Sequence, residues 1–549
     1  MNSIIRHLNP ALYFLLLTST LLAQTITKEN IEKAEKIIGL EFTDAERDSM
    51  QTSLDEQLTN YDNIRKVDLA NNVPPAILFN PIPVGFEFPK EQKPVKFSDY
   101  SYIKLPSDKN DLAFYTIGEL AELIRTKQIT STELTKFFLE RLKKYAPILH
   151  CVITLTEERA FKQAKLMDEE IAEGKYRGVL HGIPFGVKDL LSTKDYKTTW
   201  GSVPFKDQMI EEDATVIKKL EEAGAVLCAK LTLGELAWGD VWFGGKTRNP
   251  WDTTKGSSGS SAGSASSVSA GLLPFAIGTE TWGSIVSPST VCGTTGLRPT
   301  YGRVSRTGAM ALSWSMDKIG TICRSAEDLA IVFNIISGQD GIDQTLYDVP
   351  FNYQPEIDFS KLKIGYLKSD FDKQYDFHSQ DSVTLAKLRE LGAELIPLEL
   401  PEFPINDLSI ILSAEAGAAF DELTRSGMDD LLVRQIKDAW PNVFRSSRFI
   451  PAAEYINANR IRFLLIQQME EVMNEIDFYI APSWEGDNLL LTNLTGHPCV
   501  VLPNGFSEDG TPTSITFIGR LFDEGRLIAF TKKYQDATDF HKKHPLIFK

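Results

Sequence analysis

From Leu112 onward, segments with helical periodicity alternate with short apolar runs that have the length of buried strands. Apolar runs of four to eight residues bounded by turn residues are typical of strands. The runs that we predict as strands are GIPFGVKDLL, AVLCAKLT, LLPFAIG, KIGYLK, ELIPLEL, DFYIAP, CVVLPNGF and TSITFIG. Segments such as TIGELAELIRTKQIT and STELTKFFLERLKKY are predicted as helices. The alternation predicts an α/β fold with a sheet covered by helices. Residues 340–475 are mostly helical in pattern and more polar, which predicts a variable cap.

The residues before this domain have a different pattern. Residues 27–66 predict two helices with a break at 39–43, where Thr43 and Glu46 have the spacing of a capping box. Residues 73–110, which we call the strap, are rich in proline and predict an extended segment lying on the main body. We therefore expect an N-terminal segment of helices and strap over 24–111 and a main domain over 112–549.

The first 23 residues resemble a secretory signal peptide. Arg6 and His7 precede the apolar stretch ALYFLLLTSTLLA, and Gln24 follows it. This order of a basic region, an apolar region and a small residue predicts export to the periplasm or secretion. Thirteen apolar residues are too few to cross a bilayer readily, and no later run reaches eighteen. We expect no membrane span after removal of the signal. An uncleaved anchor or a buried terminal helix is the alternative.

Charge and cysteine usage narrow the classes of function. The chain has 58 basic and 74 acidic residues and a net charge of −16. Without a local basic stripe, such a chain is not expected to bind nucleic acid. The five cysteines are scattered singly among apolar neighbours, which argues against a disulfide framework and against a zinc site. We expect most of them to be small buried side chains.

One segment, GSSGSSAGSASSVSAG at 256–271, consists almost entirely of glycine, serine and alanine. Such tracts are usually flexible linkers. This one leads directly into the predicted strand LLPFAIG, however, and no charged residue occurs between Lys255 and Glu280. We therefore favour close packing of small residues. Within it, Gly259–Gly263 fits the G-x-S-x-G nucleophile elbow with Ser261 at its centre, although no strand precedes it.

Lys188 ends the alternating run around HGIPFGVKDLL. Lysine is rarely buried without a partner. The spacing alone leaves two alternatives to a chemical role, a lysine whose amine reaches water and a lysine paired with Asp189.

The chain resembles the amidase signature family in several ordered stretches between about 113 and 545. They are RGVLHGIPFGVKDLLSTKDYKTTWGS, GSSAGSASSVSAGLLPFAIGTETWGSIVSPSTVCGTTGLRPTYGRVS, SWSMDKIGTICRSAEDLAIVFNIISG and LTGHPCVVLPNGFSEDGTPTSITFIGRLFDE. The resemblance implies the amidase signature fold, with a large mixed β-sheet covered by helices on both faces. It also implies hydrolysis of a carboxamide. The N-terminal stretch IGLEFTDAERDSMQTSLDEQLTNYDNIRKVDL is weakly similar to the small helical subunit of tRNA-dependent amidotransferases.

Carried over by position, the resemblance implies a catalytic role for three side chains. Lys188 corresponds to the base, Ser260 to a bridging serine after a cis peptide bond, and Ser284 to the nucleophile. The oxyanion hole would consist of backbone amides, those of Thr281, Trp282, Gly283 and Ser284. A lysine acts as a base at neutral pH only if burial lowers its pKa from about 10.4. The scheme uses no histidine, metal or cofactor.

Three positions depart from the family's pattern. Trp282 stands where a small or short polar residue is usual, and its ring is a candidate to contact substrate or to point into the core. Arg298 replaces a common lysine, and Ser258 replaces a common glycine. We expect hydrolysis of a small-molecule amide through an acyl-enzyme on Ser284. The alternatives are a glutamine-hydrolysing subunit of a tRNA-dependent amidotransferase and a binding protein on the same fold. The sequence leaves the amide and the oligomeric state open.

Overall fold

The computed structural model describes residues 26–549, whose contacts fall into two units, one ending at Leu69 and one spanning Ala70–Lys549. The predicted signal peptide, residues 1–23, lies outside the described residues. The predicted domain boundary at 111/112 follows a change in sequence pattern. The division at 69/70 instead places the strap in the larger unit, because the strap has no regular secondary structure before residue 109 and no core of its own.

The first unit contains the two predicted helices, α1 (Lys28–Ile38) and α2 (Asp44–Ile64). The predicted capping box is present, since the carboxylate of Glu46 accepts a hydrogen bond from the amide of Thr43 at 2.7 Å and the hydroxyl of Thr43 accepts from the amide of Glu46 at 3.4 Å. Arg47 donates to both carboxylate oxygens of Glu35, at 2.9 and 2.8 Å, and so ties the two helices together. Each of these contacts satisfies a polar group that a short helix pair would otherwise expose.

The second unit is built on an eleven-stranded mixed sheet with the strand order β1-β3-β2-β6-β8-β7-β12-β13-β11-β9-β10. Pairing is parallel within β3-β2-β6 and within β11-β9-β10, and antiparallel elsewhere. The two-stranded hairpin β4–β5 is separate from this sheet. The strands are β1 (Val152–Leu155), β2 (Pro184–Lys188), β3 (Val226–Leu231), β4 (Val241–Trp242), β5 (Gly245–Lys246), β6 (Phe275–Glu280), β7 (Thr295–Arg298), β8 (Lys318–Cys323), β9 (Lys363–Leu367), β10 (Glu394–Leu398), β11 (Phe478–Pro482), β12 (Cys499–Phe506) and β13 (Pro512–Gly519).

Helices cover this sheet, which confirms the predicted α/β fold with a mixed sheet. They are α3 (Ile117–Arg125), α4 (Ser131–Leu149), α5 (Glu157–Ala172), α6 (Thr215–Glu222), α7 (Ala262–Ser269), α8 (Val286–Cys292), α9 (Ala326–Ile336), α10 (Lys368–Phe371), α11 (His378–Glu390), α12 (Ile410–Ala419), α13 (Asp421–Ser426), α14 (Trp440–Ser447), α15 (Ala452–Asn474), α16 (Asn488–Thr495) and α17 (Glu524–Thr538). Residues 340–475 are mostly helical, as predicted, and also supply β9 and β10 to the sheet.

The glycine–serine–alanine tract is packed inside the unit and is not a linker. Its second half forms α7, every residue of which is buried. A Cβ atom on Gly263 would lie 2.3 Å from the carbonyl oxygen of Cys151, so that position has room only for glycine. All five cysteines are free and buried, as expected. In residues 26–549 no helix is both long and apolar enough to span a membrane.

Candidate active site

Lys188 is the last residue of β2, a central strand with β3 on one side and β6 on the other. Phe185 and Val187 on the same strand are buried in the apolar core, and the side chain of Lys188 is itself buried. Both alternatives for this lysine are wrong: its amine does not reach water, and Asp189 pairs with Lys230 at 2.9 Å. The lysine is therefore held inside the protein without a carboxylate partner in direct contact.

The amine of Lys188 contacts hydroxyl groups instead. Its Nζ lies 2.7 Å from Ser260 Oγ, 2.9 Å from Thr279 Oγ1 and 3.3 Å from Ser261 Oγ. Ser260 Oγ lies in turn 2.9 Å from Ser284 Oγ. The structure thus brings the three predicted catalytic side chains into one chain of hydrogen bonds, Lys188–Ser260–Ser284. A hydroxyl can both donate and accept, so this chain can pass a proton in either direction.

Burial determines the protonation of Lys188. Desolvation lowers its pKa to about 7, although the carboxylates of Asp317 and Glu280 act in the opposite direction. Removal from water disfavours the charged form of an amine, which is the physical cause of the shift. Near neutral pH a substantial fraction of Lys188 is therefore uncharged and able to accept a proton.

The loop before α7 places Ser260 between its two partners. The peptide bond between Gly259 and Ser260 is cis. A Cβ atom on Gly259 would lie 1.8 Å from the carbonyl oxygen of Gly239, so only glycine allows this close approach. Ser258 has a φ of +58°, in the left-handed region that favours glycine, which explains why a glycine suits this position in the family's pattern.

Ser261, the centre of the G-x-S-x-G match, serves the structure of this loop. Its hydroxyl donates to the carbonyl of Thr279 at 3.1 Å and accepts from the amide of Thr279 at 3.1 Å. The side chain is buried, and no strand leads into it. A nucleophile elbow would present an exposed hydroxyl at a strand-to-helix turn. The geometry therefore does not support the elbow at Ser261.

The loop 281–284 carries the four backbone amides predicted as the oxyanion hole. None of them donates to a protein acceptor in residues 26–549. Gly283 has a φ of +81°, which a residue with a Cβ atom adopts only with strain, and this turn directs the loop around Ser284. Free amides next to a hydroxyl are the donors that a developing oxyanion requires.

The ring of Trp282 does not point into the core, since the residue is 42% exposed. It is also absent from the residues that line the cavity described below. The side chain therefore lies on the solvent side of the candidate nucleophile.

A buried carboxylate, Glu280, holds this loop in place. Its Oε2 accepts hydrogen bonds from the amides of Ile285 and Val286, at 2.7 and 3.0 Å. Its Oε1 accepts from Arg298 at 2.8 Å and from Asn493 at 2.9 Å. Burial alone would raise the pKa of Glu280, but Arg298 and the hydrogen bonds outweigh it and hold the pKa at about 2. Sequence reasoning did not identify Glu280, and the signal available was an acidic residue at the end of an apolar strand.

Asp317 is a second positioning group that sequence reasoning missed. Its Oδ1 accepts a hydrogen bond from the hydroxyl of Thr281 at 2.6 Å, and its Oδ2 accepts from the amides of Leu312 and Ser313 at 2.8 and 2.9 Å. The carboxylate thus connects the loop 281–284 to the loop 312–317. Glu415 on α12 and Arg462 on α15 hold that second loop through Ser313 and Ser315.

A cavity of about 540 Å³ lies next to this loop pair. Thr279 and Thr281 contribute to its wall, and so do residues 74–79 of the strap. Its volume falls in the range of small-molecule binding sites. The polar groups described above therefore lie beside a space large enough for an organic substrate.

Comparison with known proteins gives a consistent picture. The family model described as Amidase matches residues 133–489. A subunit of the glutamyl-tRNA(Gln) amidotransferase of Coxiella burnetii is 34% identical over 480 residues, which cover 78% of this chain and 99% of that protein. The corresponding protein of Acinetobacter baumannii is 33% identical over 492 residues, which cover 80% of this chain and 99% of that protein.

Solved structures of amidases have the same fold. The peptide amidase of Stenotrophomonas maltophilia is 27% identical, with a TM-score of 0.70 over 78% of this chain and 98% of that one. An amidase family protein of Bacillus anthracis is 26% identical, with a TM-score of 0.70 over 79% of this chain and 92% of that one. The chain therefore belongs to the amidase signature family and is an amidase, a hydrolase of carbon–nitrogen bonds.

Proposed function

We propose that this amidase hydrolyses a small carboxamide through an acyl-enzyme on Ser284, giving a carboxylate and ammonia or an amine. The observation that carries the proposal is the hydrogen-bond chain from Ser284 through Ser260 to the buried Lys188. A hydroxyl attacks an amide only if a base removes its proton, and here the base is an amine whose pKa lies near 7.

The acylation step begins when Ser284 Oγ attacks the carbonyl carbon. The proton of Ser284 moves to Ser260 Oγ as Ser260 passes its own proton to neutral Lys188. The carbonyl oxygen becomes an oxyanion that the free amides of residues 281–284 stabilise. When the intermediate collapses, the carbon–nitrogen bond breaks, and the leaving nitrogen takes a proton from Ser260, which Lys188 replaces.

Deacylation repeats these transfers with water. A water molecule gives its proton through Ser260 to Lys188 and attacks the ester carbonyl, and the carboxylate leaves as Ser284 regains a proton. These steps use neither a metal nor a cofactor. Because esters are easier to cleave than amides, an esterase side activity is expected.

Labelling with a fluorophosphonate tests this scheme, because the reagent marks an activated serine. Residues 24–549 are treated with the reagent, and the adduct is located by peptide mass spectrometry in the wild type and in Ser284→Ala, Ser261→Ala and Lys188→Ala. We expect labelling at Ser284, unchanged in Ser261→Ala and strongly reduced in Lys188→Ala. Labelling at Ser261 would assign the nucleophile to the elbow motif, and the absence of any labelling would favour a binding protein.

The similarity to amidotransferase subunits supports a second candidate function. The relatives from Coxiella burnetii and Acinetobacter baumannii are named as subunits of a glutamyl-tRNA(Gln) amidotransferase. The same three side chains would then release ammonia from glutamine in a complex. The net charge of −16 speaks against direct binding of tRNA by this chain. Glutamine hydrolysis that appears only with partner subunits and tRNA would support the second candidate over the first.

We further propose that the protein is exported, which its N-terminal sequence supports. Arg6, His7 and the apolar stretch at 11–23 have the order of a signal peptide. Expression of the full chain in a bacterium followed by fractionation tests this proposal. Recovery outside the cytoplasm with an N-terminus near Gln24 would support export, and retention of residues 1–23 in a cytoplasmic protein would contradict it.

A further inference from the structure

The cavity beside the oxyanion loop has a wall that is mainly apolar. On one side lie strap residues, among them Ile77, Leu78 and Phe79. On the other side lie core residues of the larger unit, among them Leu190, Met310 and Leu312. Apolar walls of this kind bind by removing hydrocarbon surface from water, at about 0.8 kcal/mol for each buried CH₂ group.

Five charged side chains also line the cavity, and two of them pair with each other. The Nε of Arg306 lies 3.3 Å from the carboxylate of Asp343. The other nitrogens of Arg306 donate to the carbonyl of Trp314 at 2.6 Å and to the hydroxyl of Thr345 at 3.0 Å. The guanidinium has therefore already satisfied its hydrogen bonds within the protein.

Two further charged groups are also engaged. Both oxygens of Asp317 accept hydrogen bonds from Thr281, Leu312 and Ser313. Lys318 is buried and donates to the carbonyl of Met316, and burial lowers its pKa well below the usual value. Glu212, which is partly buried, is the remaining charged group on the wall, and its negative charge disfavours a carboxylate in the cavity.

The position of the cavity relative to the reacting groups indicates which part of the substrate enters it. In the proposed scheme the leaving nitrogen lies beside Ser260, which returns a proton to it. Ser260 does not line the cavity, whereas Thr281, with its oxyanion-hole amide, does. The substituent on the acyl side of the scissile carbonyl therefore has the cavity available to it.

Resting on the proposed function, we infer that the cavity selects amides whose acyl group is uncharged and largely apolar. An ionic acyl group would lose its hydration without gaining a free counter-charge from Arg306 or Asp317. Free glutamine carries both an ammonium and a carboxylate on its acyl part, so this inference also makes glutamine a poor substrate.

A matched series of primary amides tests the inference. Acetamide and hexanamide differ by four CH₂ groups, and burial of all four predicts roughly a 200-fold higher kcat/KM for hexanamide. Adipic acid monoamide and 5-aminopentanamide keep the same four-carbon chain but end in a carboxylate and an ammonium. We expect both to be at least about 100-fold poorer than hexanamide, because neither charge finds a free partner.

One variant examines the strap directly. Leu78, on the strap, is 43% exposed, so Leu78→Ser is expected to leave the fold intact while making the wall polar. We expect it to lower the ratio of kcat/KM for hexanamide over acetamide at least about fivefold. The matched control is Leu431→Ser, a leucine that is 54% exposed and does not line the cavity, and its ratio should not change.

Failure of this inference can be told apart from failure of the proposed function. If fluorophosphonate labels Ser284 but hexanamide is no better than acetamide, the inference is overturned and the acyl-enzyme scheme stands. A preference for 5-aminopentanamide would overturn it by giving Glu212 the role of counter-charge. A length preference seen only with N-alkyl acetamides would overturn it by placing the amine in the cavity. If no serine is labelled, the proposed function itself fails.

Discussion

The hydroxyl of Thr281 donates to the carboxylate of Asp317 over 2.6 Å, and this contact joins the loop of the oxyanion hole to the wall of the cavity. Thr281→Val removes the hydroxyl at nearly constant volume, so we expect its amide to lose alignment and kcat to fall about 10- to 100-fold. Thr281→Ser keeps the donor and should retain most of the activity. Steady-state kinetics of both variants on one amide checks this. Equal losses in the two variants would show that the hydroxyl is not what matters.

Asp317→Asn should move the pH profile as well. The Asp317 carboxylate acts to raise the pKa of Lys188, against the larger lowering by burial. Without its charge, the pKa of Lys188 falls further, and the acid limb of kcat/KM shifts to lower pH. A limb that stays in place while kcat falls would assign Asp317 a purely structural role.

The wild-type pH dependence follows from Lys188. As a base it must be neutral, so activity should rise as the pH passes through about 7 and level off above it. In Lys188→Arg the side chain stays charged, and activity should be lost at all pH values, as measured by kcat/KM between pH 5 and 9. An acid limb near pH 4 would point to a carboxylate as the base.

Lys188 should also make stability depend on pH. Between about pH 7 and 10.5 the unfolded chain binds a proton at this lysine that the folded chain does not, so stability rises with pH in that window. Relative to Lys188→Met, we expect the free energy of unfolding of the wild type to be flat below pH 7 and to increase by up to about 1.4 kcal/mol per pH unit above it. Urea unfolding of both proteins at several pH values measures this difference. A constant difference across the range would contradict the lowered pKa.

Glu280→Gln should weaken both the fold and the nucleophile loop. The change leaves Arg298 buried without its charged partner, and loss of one partner of a buried ion pair typically costs about 3–5 kcal/mol. We expect a lower midpoint of unfolding and a kcat reduced at least about tenfold. Glu327→Gln is the matched control, since Glu327 is buried and bonded to Tyr100 and Tyr353 away from the loop. That variant should lose stability while kcat is retained.

The ring of Trp282 should act on the leaving group, because it is exposed and lies outside the cavity. Trp282→Ala is expected to change stability by less than about 0.5 kcal/mol. It should increase kcat/KM for bulky anilides more than for the matching primary amides. Trp484→Ala, at another exposed tryptophan, provides the control and should leave this ratio unchanged. A selective loss on anilides would instead show that the ring binds the amine.

The sequence predicted the groups whose neighbours along the chain identify them. Lys188 ends a strand pattern, and Ser260 and Ser284 lie in a tract of unusual composition with matching family motifs. Most strands were predicted from their apolar runs, whereas β7, with the sequence TGLR, carries no such run and owes its place to pairing with β8 and β12. Local pattern gives no sign of pairings of that kind.

Contacts over long sequence separation explain what was missed in the site. Glu280 meets Asn493 across 213 residues, and Asp317 meets Thr281 across 36. In sequence these are ordinary acidic residues next to apolar runs, and only the folded chain shows which donors reach them. The direction of the Trp282 ring has the same origin, because it depends on which neighbours leave room for it.

The partners of Glu280 bear on how the enzyme matures during synthesis. Lys188, Ser260 and Ser284 all lie in the first 284 residues, but the carboxylate that holds the loop of Ser284 also needs Asn493 on α16. A nascent chain that has released only its first half carries every reacting side chain and no finished nucleophile loop. Hydrolytic competence therefore arrives late in translation, after the C-terminal strands have joined the sheet, and fragments that end before α16 should be inert.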